Sequence, residues 1–193
     1  MDSDLWIQIL ELVVLLTLSG FFSSAETAMV SVSKIRLRTL EEEGNKKAAL
    51  ALKILENQSK MLSAILIGNN LVNTSAASIA SVIAYSFGGA AVSIATFIIT
   101  FLILVFGEIT PKTWATINAD KLAFAYAPII IFLMKILTPV IWFVNLFSSG
   151  ILKLMGIQNS NKNISMTESE LRTIVDVSHE EGVIEEDEKD MIN

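Results

Sequence analysis

Forty-seven consecutive residues, Met61 to Gly107, carry no charged side chain. A helix needs about 20 residues to cross a bilayer core, so this run holds two crossings and dictates a membrane hairpin. It closes on Gly107-Glu108-Ile109-Thr110-Pro111-Lys112. A carboxylate at the edge of a bilayer costs a few kcal/mol and is rarely kept without a task. Pro111 has no N–H, so in a helix the Gly107 carbonyl, four residues back, loses its partner. A bare backbone oxygen beside a carboxylate at membrane depth is the material of a cation site.

The whole chain agrees with a polytopic membrane protein: of 193 residues 52% are hydrophobic, and the mean hydropathy is +0.58. With no cysteine and one histidine, His179 in a polar tail, thiolate sites, histidine triads and zinc motifs are excluded. A metal bound in the membrane must take oxygen ligands, which suit hard cations such as Mg²⁺, Ca²⁺ or Na⁺. No nucleophile–base pair marks an intramembrane hydrolase, and no continuous polar stripe marks a pore. The expectation is a non-enzyme with no nucleic-acid partner.

The expected fold class is an all-α membrane protein with three transmembrane helices per subunit. The spans are about 5–32, 61–85 and 90–107, the last two joined by Ser86-Phe87-Gly88-Gly89. The first run is no cleaved signal peptide, since no basic residue precedes it and its apolar length is too great. Residues 34–60 hold seven of the fourteen basic residues, from Lys34 to Lys60, and apolar residues recur at helical spacing on both sides of Gly44-Asn45. This reads as a cytoplasmic helical hairpin, which sets the N-terminus outside. Ala76, Ala77, Ser78, Ala80 and Ser81 give the second span a small face for close packing or dimerisation.

Residues 122–150 are long enough to cross, but Pro128, Lys135 and Pro139 interrupt them. A central lysine costs about 2.5–3.5 kcal/mol on insertion scales, and a crossing would put the acidic tail outside. An amphipathic belt at the inner interface, with Trp114, Trp142 and Lys135 at headgroup level, is favoured over a full crossing. After a polar linker at 159–166, Thr167-Glu168-Ser169-Glu170 reads as a capping box. It opens an acidic cytoplasmic helical segment, 167–193, with ten acids against two bases. The chain is expected to be cut short before a further domain.

Three polar clusters fall at one depth. Ser19 and Ser23, with Glu26 three residues on, share a face of the first span; Asn69 and Asn73 share a face of the second; Gly107 and Glu108 close the third. Counted at 1.5 Å per residue, all converge in the inner half of the membrane. They offer two hydroxyls, two amide oxygens, a freed carbonyl and a carboxylate, close to the six oxygens that Mg²⁺ demands. Blander readings exist: membrane serines and asparagines commonly bond only across helices, and Lys112 is placed to neutralise Glu108. Coincidence of three clusters at matching depth favours the ion site.

Leu18 to Ala28, Gly68-Asn69-Asn70-Leu71-Val72-Asn73 and Gly107 to Lys112 occur in the order and spacing that resemble the transmembrane domain of the CorC/cyclin M (CNNM) magnesium transporters. The resemblance covers essentially the whole chain. It implies a homodimer in the cell membrane, a juxtamembrane belt, and an inward-facing Mg²⁺ pocket built from Ser19 or Ser23, Asn69, the Gly107 carbonyl and Glu108, with Asn73 a weaker member. It also implies Mg²⁺ efflux coupled to Na⁺ entry. ATP-Mg would act only through a pair of cystathionine-β-synthase (CBS) domains, to which 167–193 would lead and which would be missing here. Glu26 belongs to the bacterial form of the first motif and is left out of the ligand set; Asn70 carries less weight. The rival reading is a membrane-anchored Mg²⁺ sensor that regulates another transporter.

Overall fold

The computed structural model describes residues 2–155, and every regular element among them is helical. The predicted linker and the acidic segment 167–193, His179 included, lie outside the described residues. The chain divides into two compact units, residues 1–147 and 148–193. Of the second, the described residues are 148–155, which end the last helix with Ile151, Leu154 and Met155 exposed.

Helix α1 (Asp2–Ser31) is followed by the short pair α2 (Lys34–Glu42) and α3 (Lys46–Leu55). Ser33 caps α2 by accepting from the Arg36 N–H at 3.3 Å, and Asn45 caps α3 by accepting from the N–H groups of Lys47 and Ala48. The break falls at Gly44-Asn45 as the sequence predicts. Gly44 adopts φ 87°, the Asn45 N–H reaches back to the Leu40 carbonyl at 2.9 Å, and the Gly44 N–H to Glu41 at 2.8 Å. This paired return satisfies carbonyls that the end of α2 leaves open, and it needs a residue that tolerates positive φ. Gly44→Ala is therefore expected to destabilise the hairpin by about 1 kcal/mol, read as a lower thermal midpoint. Leu37, Ala48, Ala51 and Ile54 are buried with Met29, Met61 and Ile65 in one core, so the hairpin is packed against the ends of α1 and α4.

Helix α4 (Gln58–Tyr85) returns, and Gly88 at φ 110° helps form the turn into α5 (Gly89–Leu102). The helix then widens into a π segment, Ile103–Ile109, and resumes as α6 (Thr110–Ile117). Among the described residues two stretches are each long and apolar enough to cross a membrane, Asp4–Ser31 and Gly89–Ile117, and the bent pair Ala119–Ile136 and Thr138–Leu154 would make a third if it is one span. Only 11% and 6% of the apolar windows of the first two are buried inside the protein, so their surfaces are made for lipid rather than water. α4, expected as a span, has the length but falls short on apolarity. The physical reason is its own polar cluster, Asn69, Asn70, Asn73 and Thr74, on a helix of 28 residues.

The expected belt region is two helices, α7 (Ala119–Ile136) and α8 (Thr138–Leu154), bent by 68° at Leu137. Pro139 causes the break: it cannot donate to the Lys135 carbonyl one turn back. Pro128, by contrast, is carried inside α7. α7 buries Ala123, Ala127, Ile130 and Met134 against the core and exposes Ile129, Phe132 and Ile136, apolar on both sides. Tyr126 ties α7 to α1, its hydroxyl 3.2 Å from Ser24 Oγ and its ring edge-on to Phe21 at 4.9 Å.

Candidate metal site

The C-terminal half of α1 carries the polar side chains that the fold buries. Ser19, Ser23 and Ser24 are its buried polar residues, at 1%, 0% and 2% exposure. Ser24 is accounted for by Tyr126 and by donation to the Phe21 carbonyl at 3.0 Å. Ser19 and Ser23 lie one turn apart on the same helix.

Glycines set how near the neighbouring helices come. A Cβ on Gly107 would stand 2.5 Å from Ser19 Oγ, and one on Gly68 2.4 Å from the Phe22 ring. A Cβ on Gly20 would sit 3.2 Å from both the Phe106 carbonyl oxygen and the Pro111 ring. Each of the three helices thus contributes a residue without a side chain at the crossing, and backbone oxygen is brought within reach of side-chain oxygen.

The result is a cluster of three oxygens. Ser19 Oγ lies 3.5 Å from Asn69 Oδ1 and 3.5 Å from the Gly107 carbonyl oxygen. Both separations stand well beyond the usual 2.7–2.8 Å of an O–H···O bond, and one hydroxyl proton cannot serve both acceptors well. Three oxygens therefore face one another with a single proton among them, which makes the spot electronegative. Pro111, four residues beyond Gly107, has no N–H to donate to that carbonyl, and the Ser19 hydroxyl is the side chain that reaches it. The π winding around it, with the Thr110 N–H reaching Val105 rather than a nearer carbonyl, is a feature that recurs at functional sites.

Two further oxygens are short of partners: Ser23 Oγ and Asn73 Oδ1 are buried and accept no hydrogen bond among the described residues. Leaving such groups unpaired costs about 1–3 kcal/mol each unless something binds them. Their positions follow from the helix directions. α4 runs antiparallel to α1, since Ser75 and Ile79 lie beside residues 10–15 while Asn69 lies beside Ser19. Ser23 and Asn73 are thus one turn, about 6 Å, to opposite sides of the crossing. Ion–oxygen distances of about 2 Å do not let both join one shell around it. Asn70, by contrast, folds back on its own helix, donating to the Leu66 carbonyl at 3.0 Å.

Glu108 follows Gly107 on the same turn, is half-buried, and makes no hydrogen bond or ion pair among the described residues. Lys112, the neutralising partner weighed above, pairs instead with Glu26, Nζ to Oε2 at 3.2 Å. Nearer the hairpin, Arg36 pairs with Asp120 at 2.6 Å. These pairs and the Ser24–Tyr126 contact were missed from sequence, because partners 84 to 102 residues apart leave no local signal. Among the described residues no group of three or more His, Cys, Asp or Glu side chains is placed to hold a metal ion.

An all-helical membrane protein with buried, proton-poor oxygens at a three-helix crossing is the class that fold and site define. The family model for the cyclin M transmembrane N-terminal domain matches residues 10–188. The chain is 44% identical over 165 residues to a UPF0053 protein of Haemophilus influenzae, covering 85% of this chain and 39% of that protein. To the UPF0053 inner membrane protein YfjD of Escherichia coli K12 it is 35% identical, with 82% and 37% covered. A chloroplastic DUF21 domain-containing protein of Arabidopsis thaliana is 37% identical over 94% of this chain and 28% of its own length. The chain belongs to the cyclin M (CNNM) transmembrane-domain family, and it spans less than half the length of these relatives.

Proposed function

We propose that this chain is the membrane domain of a secondary Mg²⁺ transporter of the cell membrane, with the ion taken from the cytoplasm and Na⁺ as the coupling ion. The observation that carries this reading is the placing of Ser19 Oγ, Asn69 Oδ1 and the Gly107 carbonyl oxygen within 3.5 Å steps of one another, beside the unpaired Glu108. The three neutral oxygens would replace part of the hydration shell of Mg²⁺, Glu108 would supply the negative charge, and water would complete the six positions. Ser23 would receive the ion on the cytoplasmic side of the crossing, and Asn73 would lie on its exit path. A Na⁺ ion would use the same oxygens when the site faces outward, since alternating access presents one site to both sides.

In this reading α1, α4 and the helix from α5 to α6 cross the membrane with the N-terminus outside. The basic α2–α3 hairpin lies in the cytoplasm, and α7–α8 forms a bent belt at the inner interface. A homodimer is supported by Asn70, Thr74 and Ser78, which form an exposed polar row on α4 that lipid would not favour.

The test is flux from sealed liposomes that hold the purified protein and a Mg²⁺-sensitive dye. Wild type is expected to move Mg²⁺, and Asn69→Ala to slow it at least about tenfold, the equivalent of one lost ion ligand at about 1.4 kcal/mol. Equal rates for both would remove Asn69 from the site. Binding without flux in the wild type would leave an ion sensor in place of a transporter.

A further inference from the structure

Glu26 and Lys112 are unused by the proposed ion site, yet they form an ion pair in its immediate surroundings. Their side chains are 25% and 43% exposed, so the pair is half shielded from water. The pairing is a choice among two. Glu108 and Lys112 stand four residues apart in one helix running from Gly89 to Ile117. An acid one turn ahead of a base is the favourable order for a pair within a helix. Lys112 nevertheless reaches across to α1, and Glu108 keeps no counter-charge among the described residues. Lys112, a point charge on a flexible four-carbon stem, thus pairs with Glu26 although Glu108 stands four residues from it in the chain.

We propose that Lys112 is a tethered counter-cation for Glu108, drawn aside by Glu26 when a metal occupies the site and returned to Glu108 when the metal leaves. The proposal rests on Glu108 being the charged ligand of the ion site above. With Lys112 on Glu26, a divalent ion meets a free carboxylate. With Lys112 on Glu108, the ion meets a neutralised ligand and a like charge, which opposes binding in a partly dry setting. The same ammonium lowers the cost of an empty site, because a bare carboxylate at that depth is unfavourable. Glu26 and Lys112 are positioning residues here: neither touches the ion, and their balance sets how readily it is released.

A plain tie between α1 and α6 is the competing role, and the two roles differ in sign. Mg²⁺ is titrated into the purified protein by calorimetry, and the metal-free thermal midpoint is measured for every variant. Lys112→Met removes the competitor and is expected to tighten Mg²⁺ binding about fivefold, at the lower end of couplings between sites. Glu26→Gln frees Lys112 for Glu108 and is expected to weaken binding about fivefold. The double variant is expected to match Lys112→Met, because Glu26 acts only through Lys112. Lys112→Arg, which keeps a cation on a long stem, is expected to bind within about twofold of wild type.

Weaker binding in both single variants, with lower metal-free midpoints, would overturn the proposal in favour of the tie. Unchanged affinity in both would overturn it as well. Glu108→Gln run alongside separates the two levels of argument. If that variant binds Mg²⁺ like wild type, the ion site itself is wrong. If it loses Mg²⁺ while the Lys112 and Glu26 variants bind normally, only the counter-cation is wrong.

Discussion

Glu108→Gln is expected to lower Mg²⁺ affinity at least about a hundredfold while leaving the fold intact. The amide keeps the size of the side chain and one oxygen but removes the negative charge that follows Gly107 in the chain. A divalent ion stripped of part of its water is poorly repaid by neutral oxygens alone, because the desolvation cost grows steeply in a medium of low dielectric. Since Glu108 has no ion pair among the described residues, no partner is orphaned by the change. The metal-free thermal midpoint is therefore expected to stay within a few degrees of wild type or to rise. The loss is read in thermal unfolding with added Mg²⁺. At a concentration about a hundred times the wild-type Kd, binding adds about 2.7 kcal/mol, and a hundredfold weaker variant would retain about 0.4 kcal/mol of it. A full Mg²⁺-dependent shift in the variant would remove Glu108 from the site.

Gly107→Ala is expected to have the other large effect, through geometry instead of charge. The added methyl carbon would stand 2.5 Å from Ser19 Oγ and 3.1 Å from Ser19 Cβ, closer than packed atoms allow. Ser19 is fully buried, so its side chain has little room to retreat, and the π segment must shift away from α1. Overpacking of this kind costs about 1–3 kcal/mol. It also parts the Gly107 carbonyl from the Ser19 hydroxyl, so Mg²⁺-dependent stabilisation is expected to vanish. Adding Ser19→Gly should relieve the crowding and recover the thermal midpoint without recovering Mg²⁺ binding. If Gly107→Ala alone binds Mg²⁺ normally, the carbonyl is no ligand and the crossing is only a packing contact.

Much of the site was legible because polar residues in an apolar chain stand out. Ser19, Asn69 and Gly107 were expected at one depth from spacing alone, and the folded chain brings those three together. The hairpin break at Gly44-Asn45 was legible for a local reason, since a positive φ and an asparagine cap are written in adjacent residues. What stayed hidden depends on pairing over long separations. The sequence offers Lys112 a partner four residues away at Glu108, and folding gives it Glu26, 86 residues away, because α1 and α6 run side by side. The antiparallel register that sends Ser23 and Asn73 to opposite sides of the crossing was likewise out of reach, since counting depth along each span separately leaves their mutual sliding free. A belt interrupted by Pro128, Lys135 and Pro139 was legible in the sequence, but not the position of its bend. Where the helix breaks depends on which of two prolines the packing tolerates: Pro128 sits within α7, and Pro139 forces the turn.

The wide turn at Ile103–Ile109 holds more chain than an ordinary helix would need over the same rise. Were one residue of that slack taken up by regular winding, everything after it would rotate by about 100° and advance about 1.5 Å. Lys112 would then face away from Glu26, and Ala115 would leave its seat beside Ala28, where both are fully buried. A small local rewinding is thereby geared to a large reorientation of α6, and the gear sits at the residue whose carbonyl meets Ser19.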